Sequence, residues 1–264
     1  MAELRECPIC RVQRQARRRG DWQACRECGT AIRTAPPSPG DLEGYYRAAF
    51  GSERGPMYAT APEIARQYTQ LIERATKELA WPGSRILDYG AGEGQLTARL
   101  SALGAQVVAV EPYGARPHAA EGAASHRSLD ELEREEPFDG IVMTEVIEHL
   151  PDPVEVVRKL RSHLRKNGWI FVTTPNVGSL KARLLRGGWS ERRKLGHLYL
   201  FSRDGLERSL SEGGFGRVEA CTGLVSFSTS NRRSVVQHLL QKLHLDGQLR
   251  VMAWNTSGGS RLGE

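Results

Sequence analysis

Three groupings of side chains in this 264-residue sequence have the types and spacing to do chemistry. The first is the run EVIEHL, Glu145 to Leu150, directly behind the apolar stretch FDGIVMT. Glu145, Glu148 and His149 stand at i, i+3 and i+4, so a helix would put them on one face. Two carboxylates and an imidazole at that spacing can hold a cation, move a proton, or simply pair as a polar helix start. On the residues alone all three readings stay open. The second grouping is four cysteines, Cys7, Cys10, Cys25 and Cys28, spaced C-x2-C-x14-C-x2-C. Each C-x2-C turn aims two thiolates at one point, and two such turns close a tetrahedron around zinc. Four thiolates leave no open coordination position, so this zinc is expected to be structural. The short arginine-rich loop between the pairs has almost no core of its own, and the metal would supply its folding energy. Disulfides are the alternative, disfavoured if the chain resides in a reducing compartment. Cys221, in GRVEACTG, reads as an ordinary strand thiol.

The third grouping is ILDYGAGEGQ, which runs from a predicted strand into a predicted helix. Gly90, Gly92 and Gly94 form G-x-G-x-G, and Gln95 stands where a dinucleotide fingerprint wants its last glycine. Asp88 precedes the first glycine by two residues, and Glu111 ends the next strand, placed for a ribose diol. A nucleoside ligand whose other end packs on bare backbone and offers an ammonium fits this loop. S-adenosylmethionine matches that description better than a pyrophosphate cofactor.

Elements that position these groups follow from periodicity and punctuation. TAPPSPGDLEGYY reads as a proline-rich linker ending in a turn, and TAPEIARQYTQLIERATKEL as a helix with an apolar stripe of Ile64, Tyr68, Leu71 and Ile72. From residue 85 onward strands and helices alternate. The strands are RILDYG, QVVAVEP, FDGIVMT, WIFVTTP, GRVEACTG and LRVMAWN; the helices are GQLTARLSALG, SLDELEREE, DPVEVVRKLRSHLRKNG and SRDGLERSLSEGG. That alternation predicts an α/β fold, a Rossmann-like, doubly wound and mostly parallel sheet, with a small N-terminal zinc ribbon.

The net charge of +6 is unevenly spread, with basic clusters at RVQRQARRRG and KARLLRGGWSERRK. Such clusters are solvated faces or sites for an anionic partner: a sugar nucleotide, a phosphorylated substrate or RNA. No apolar run approaches the ~20 residues that cross a bilayer. The start MAELRECPIC lacks the apolar core of a signal peptide, so a cytoplasmic location is expected.

Five motifs in order carry a resemblance: LDYGAGEG, Glu111 after the second strand, FDGIVMTEVIEHL, TTPN, and HLYLFSRDGLERSLSEGGF. Over residues ~85 to ~222 the chain resembles the class I S-adenosylmethionine-dependent methyltransferases. It looks most like the branch of ubiquinone-type O-methyltransferases and enzymes of glycan and natural-product pathways. The N-terminal cysteine segment is similar to the ribbon that precedes some bacterial members. The resemblance implies three parts: ribbon 1–34, linker 35–59 and methyltransferase domain 60–264. It also implies that Asp88, Gly90, Ala91, Gly92 and Gly94 form the cofactor loop, that Glu111 takes both ribose hydroxyls, and that Ser128 and Leu129 flank the adenine. Thr144 and Glu145 would form the pocket mouth, with the acceptor entering near Asn176 and residues 181–194.

Methyl transfer from a sulfonium is an in-line displacement that needs no acid for the leaving group. A hydroxyl acceptor needs help losing its proton. In relatives that methylate catechol-like hydroxyls or RNA 3′-terminal riboses, an E-x-x-E-H run binds a divalent cation, which makes Glu145, Glu148, His149 and His197 candidate ligands for magnesium or manganese. His149 with Glu145 as a metal-free catalytic pair, and a purely structural i,i+4 pair, are the alternatives. Three functions follow in order. The first is O-methylation of a small molecule or glycan precursor, with an anionic acceptor compatible with the basic segments. The second is 2′-O-methylation of an RNA 3′-end ribose. The third is a non-enzymatic zinc-ribbon nucleic-acid-binding protein, which predicts a damaged glycine loop or a missing ribose acid, and neither is seen.

Overall fold

A computed structural model describes residues 6–12, 16–50, 62–77, 81–113, 123–132, 135–221 and 239–256. The strands in chain order are β1 (Ala16–Arg19), β2 (Trp22–Cys25), β3 (Ala31–Arg33), β4 (Arg85–Tyr89), β5 (Gln106–Val110), β6 (Ala124–His126), β7 (Phe138–Thr144), β8 (Leu164–Pro175), β9 (Tyr199–Leu200), β10 (Arg217–Ala220) and β11 (Gln248–Trp254). The helices are α1 (Pro39–Phe50), α2 (Pro62–Thr76), α3 (Gln95–Ala102), α4 (Pro153–Ser162), α5 (Leu180–Leu185) and α6 (Arg203–Glu212). No helix among the described residues is long and apolar enough to cross a membrane.

The large sheet has the order β10-β11-β8-β7-β4-β5-β6. Strands β4 to β8 pair in parallel, and β11 enters antiparallel between β8 and β10. The parallel strands are apolar on both faces because helices cover both. Leu87, Ile141, Met143 and Val172 point to one side, where Val157, Leu160, Leu206 and Leu210 of α4 and α6 meet them. Ile86, Val142 and Phe171 point to the other, against Tyr68, Leu71, Ile72 and Leu100 of α2 and α3. Helix starts carry local caps: Asp152 accepts from the Glu155 amide ahead of Pro153, Ser179 from Ala182, and Ser202 from Gly205.

Four expected elements differ. The helix read over DPVEVVRKLRSHLRKNG ends at Ser162, and residues 164–168 open β8 instead, with Leu164 paired to Phe138. The segment read as a linker contains helix α1, because Ser38 and Asp41 form a reciprocal cap: the Asp41 amide donates to Ser38 Oγ at 3.2 Å and the Ser38 amide to Asp41 Oδ2 at 3.1 Å. SLDELEREE forms only a 3-10 turn over Leu129–Leu132 among the described residues. EVIEHL is not a helix: Glu145 has φ 57°, in the left-handed region, and only Ile147–His149 form a 3-10 turn. The chain must leave β7 and double back, so the three side chains leave from a kink and a turn.

The N-terminal segment is not a separate lobe. Its strands β1-β2-β3 are extended by β9, with Ala31 opposite Leu200 and Ile32 opposite Tyr199. Cys7, Ile9, Cys28 and Ile32 join the same apolar cluster as Leu198, Phe201 and Leu206. The Ser202 hydroxyl caps α6 and also donates to the Cys28 carbonyl. Gly205 makes this contact sterically possible, since a β-carbon there would lie 1.8 Å from Thr30 Oγ1. Gly205→Ala should therefore lower stability by about 1–3 kcal/mol through overpacking, and Thr30→Ala in the same chain should recover part of the loss. An unchanged melting temperature in the single variant would refute this docking.

Candidate active site

The glycine loop leaves β4 and opens α3. Gly90, Gly92 and Gly94 have φ of 78°, 56° and 79°, which side-chain-bearing residues rarely adopt. At Gly90 a β-carbon would stand 2.3 Å from Val146 Cγ2, so the loop can pass the β7 exit only as bare backbone. Glu111, buried at the end of β5, accepts the Gly92 amide on Oε2 and the Tyr113 amide on Oε1, both at 2.9 Å. One carboxylate thus ties the two strand ends that form this side of a cleft. Asp88 is buried behind the loop and accepts from the Thr97 hydroxyl at 2.6 Å. Burial pushes its carboxyl up to about 6, with the Glu111 charge adding to the shift and the Thr97 hydrogen bond opposing it. Ser128 and Leu129 are half-buried just after β6 and do not line the cleft, whereas Gly90, Gly92, Glu111, Thr144 and Glu145 do.

The cleft continues as one cavity of about 1260 Å³ to the other catalytic candidates, Glu148, His149 and His197. Glu145 turns toward the sheet, accepting from Thr173 Oγ1 at 3.1 Å and Gln248 Nε2 at 2.9 Å. Glu148 is buried, with Oε2 accepting from Thr174 Oγ1 at 2.9 Å and Oε1 without a hydrogen-bond partner among the described residues. That orphaned oxygen lies 3.8 Å from His149 Nε2. Desolvation raises both carboxyls, and the Glu145 charge raises Glu148 further. His149 Nδ1 is 2.8 Å from the Gly196 carbonyl and 2.7 Å from Tyr46 Oη. A carbonyl only accepts, so this hydrogen-bond pattern assigns the proton to Nδ1 and the lone pair to Nε2. Gly196 allows the approach, since a β-carbon there would lie 2.7 Å from Tyr46 Oη and 3.0 Å from His149 Nδ1. The His197 ring meets His149 edge-on at 4.7 Å, and its Nδ1 has no hydrogen-bond partner among the described residues. Burial holds His149 down at about 4 and His197 at about 2, so both are neutral at physiological pH.

Glu148, His149 and His197 each offer one ligand atom, all within 4.8 Å of one another. An orphaned carboxylate oxygen and two neutral imidazoles suit a first-row divalent cation, manganese or zinc better than magnesium. Glu145 stands outside this triad, held by Thr173 and Gln248. Asn176 is structural: its amide donates to the His244 and Asp246 carbonyls, each at 3.0 Å, and its oxygen accepts from Gly178. Lys181 and Lys194 of the basic segment line the cavity, the latter ion-paired to Glu191 at 2.6 Å. The remaining wall is mostly apolar, with Leu42, Ile64, Tyr68, Leu180, Leu184 and Leu245.

At the cysteine cluster the Cys7–Cys28 and Cys10–Cys25 sulfur separations are both 3.8 Å. A tetrahedron with metal–sulfur bonds of about 2.3 Å has edges of about 3.8 Å, whereas a disulfide needs about 2.05 Å. The four thiols fit zinc.

Sequence reasoning missed Tyr46, Tyr113 and Gln248. Tyr46 stacks on Tyr113 at 4.7 Å and caps His149. The Ser38-x-x-Asp41 capping signal marks the helix that carries it, but nothing local marks its target 103 positions away.

The sequence matches the family described as a methyltransferase domain over residues 61–220, more than half of the chain. The protein belongs to that family. This methyltransferase is 34% identical over 116 residues to the ubiquinone biosynthesis O-methyltransferase of Xanthomonas campestris pv. campestris, a match spanning 40% of this chain and 48% of that one. The corresponding Xanthomonas oryzae pv. oryzae protein is 31% identical over 116 residues, again 40% of this chain and 48% of its own. The chain therefore spans about half the length of the curated relatives it matches. Among solved structures, the Burkholderia thailandensis 1,6-didemethyltoxoflavin-N1-methyltransferase, with S-adenosylhomocysteine bound, superposes with a TM-score of 0.58 at 15% identity, covering 92% of this chain and 100% of that one. The [4+2]-cyclase SpnF gives 0.55 at 16% identity, covering 86% and 99%. At such identities the likeness is one of fold.

Asp88 yields a pH prediction. A carboxyl whose folded pKa lies above its ordinary value of 3.8 costs stability once it ionises, so the penalty is absent below that value and complete above about 6. Asp88→Asn should stabilise the unliganded protein by about 1–3 kcal/mol at pH 8, and the gain should vanish near pH 4. Melting curves at the two pH values that show the same shift would overturn the assignment.

Proposed function

We propose that this methyltransferase carries the methyl group of S-adenosylmethionine to a hydroxyl of a small acceptor with substantial apolar surface. The observation that carries the reading is one continuous cavity with the glycine loop and Glu111 at one end and Glu148, His149 and His197 at the other. The bare backbone at Gly90 and Gly92 suits close approach of the methionine end, and the Glu111 carboxylate is positioned for a ribose diol. Thr144, at the end of β7, also lines this cavity.

The acceptor oxygen attacks the methyl carbon in line, the carbon–sulfur bond breaks, and sulfur keeps the electron pair. The acceptor proton must leave before or during that step. His149 Nε2, neutral and beside the Glu148 carboxyl, is suited to receive it. In the alternative, a divalent cation held by Glu148, His149 and His197 would occupy that Nε2 lone pair, polarise the acceptor oxygen and lower its pKa, so that the proton would pass to solvent. Apolar walls support an aromatic or alkyl-bearing acceptor over a glycan. The curated relatives, named as ubiquinone biosynthesis O-methyltransferases, support oxygen as the acceptor atom. The four-cysteine site is read as structural zinc.

The deciding experiment is a mass-spectrometric screen for cofactor-dependent methylated products across phenols, sugar nucleotides and short RNAs. Products confined to RNA, with a steep salt dependence, would replace this reading with ribose methylation.

Glu111→Ala should weaken S-adenosylmethionine binding by about 1.5–3 kcal/mol, roughly ten- to hundredfold, because carboxylate hydrogen bonds to the ribose and to the Gly92 amide are both lost. Calorimetry showing unchanged affinity would sink the assignment of the cofactor end. With an active acceptor, chelation should suppress turnover and leave cofactor affinity intact. Manganese should restore the rate in the wild type and fail to do so in Glu148→Ala. Chelator-indifferent turnover together with a strong His149→Ala defect would instead assign a metal-free base.

A further inference from the structure

The cysteine-bearing sheet reaches the acceptor end of the cavity through β3–β9 pairing, through the Trp22 indole, which donates to the Arg192 carbonyl at 3.3 Å, and through Arg33. Arg33, the last residue of β3, is half-buried, with Nε 2.8 Å from the His197 carbonyl and Nη2 2.8 Å from the Lys194 carbonyl. The guanidinium lies 4.7 Å over the Trp22 ring, which fixes its plane. The backbone continues the connection. The Arg33 amide donates to the Leu198 carbonyl and the Leu198 amide to the Glu148 carbonyl, both at 2.9 Å. One residue, Leu198, thus links the ribbon to the turn that carries Glu148 and His149.

The segment that Arg33 grips is buried at its two ends, at Trp189 and at residues 196–198, and is more exposed between them, where the Arg33 and Trp22 side chains hold its carbonyls. Ser190, Arg193 and Leu195 are exposed, and only short 3-10 turns precede it. Yet it carries Glu191, Lys194 and His197 into the cavity. A planar fork can satisfy two carbonyls in fixed geometry, which an ammonium does less well.

We infer that Arg33 is a positioning residue: by anchoring the Lys194 and His197 carbonyls it sets the His197 imidazole beside His149. The ribbon then serves the acceptor end of the cavity as well as the N-terminus. The inference rests on the reading of Glu148, His149 and His197 as the acceptor-end machinery.

The test uses the full-length, zinc-loaded protein with isotopically labelled histidines. The wild type should show a nuclear Overhauser contact between the two imidazoles, whose centroids are 4.7 Å apart. Arg33→Ala should lose that contact and exchange the amide hydrogens of residues 192–198 at least about tenfold faster. Zinc content should be unchanged, and S-adenosylmethionine affinity should stay within about twofold. Arg33→Lys should recover part of the imidazole contact. An intact contact and unchanged exchange in Arg33→Ala overturn the inference. So does a loss of contact accompanied by equally faster exchange across the whole β-sheet, which would make Arg33 a general folding residue. If Arg33→Ala does not fold, Arg33→Lys carries the same readout. Manganese titration of the wild type and His197→Ala decides the cation reading separately, since the imidazole contact is measured without added metal.

Discussion

Burying ionisable groups in an apolar cavity is the constraint that shapes this molecule. A carboxylate taken out of water with one oxygen unpaired costs several kcal/mol, about as much as the net stability of many domains. Glu148 is in that position, and His149 and His197 share its surroundings. The fold supports them from four directions. Thr174 on β8 donates to Glu148, the Gly196 carbonyl holds His149, and Tyr46 on α1 covers its ring. Strand β9 begins two residues after His197 and pairs with the ribbon. None of these partners is near Glu148 in sequence, so the site exists only when the chain has closed.

The two ends of the cavity are coupled by close approaches that only glycine permits. Gly90 lets the glycine loop pass Val146, which sits inside EVIEHL, and Gly196 lets Tyr46 and the opposite wall close on His149. On the proposed reading, a side chain at either place would push apart the surfaces that converge on the methyl carbon and its acceptor. In-line displacement is sensitive to such separations, because misplacement of about 1 Å can cost a hundredfold in rate.

Motifs with local physics were legible in the sequence. The glycine loop, Glu111 at the strand end and the cysteine spacing all depend on residues close in the chain, and their geometry follows from glycine conformations and thiolate turns. The parallel strands were legible for the same reason, as apolar β-branched runs between helices. What could not be read was long-range or set by a kink. EVIEHL has perfect helical spacing, but the left-handed Glu145 rotates that residue away from Glu148 and His149. Asn176 sits in a motif that suggests a substrate contact, yet its amide is consumed by the carbonyls of residues 244 and 246. Tyr46 lay in a proline-rich stretch whose capping box outweighed its composition.

The fold cannot by itself name the reaction, since its relatives in shape include an N-methyltransferase and a cyclase. The difference must lie in what stands at the strand ends. A ring or amine nitrogen that carries a free lone pair at neutral pH attacks a sulfonium methyl without a base. A hydroxyl has its best nucleophile in the ionised form, which is scarce at that pH, so proton removal becomes part of the barrier. An enzyme for a nitrogen that already carries a free lone pair has less need of a buried proton acceptor, such as the cluster of Glu148 and two uncharged histidines, at the moment of attack. For oxygen the same cluster is useful in both of its forms: a neutral imidazole beside a carboxylate can take the proton, and the same atoms can hold a cation that makes the proton easier to lose. That difference in need is the physical argument behind the proposed oxygen acceptor.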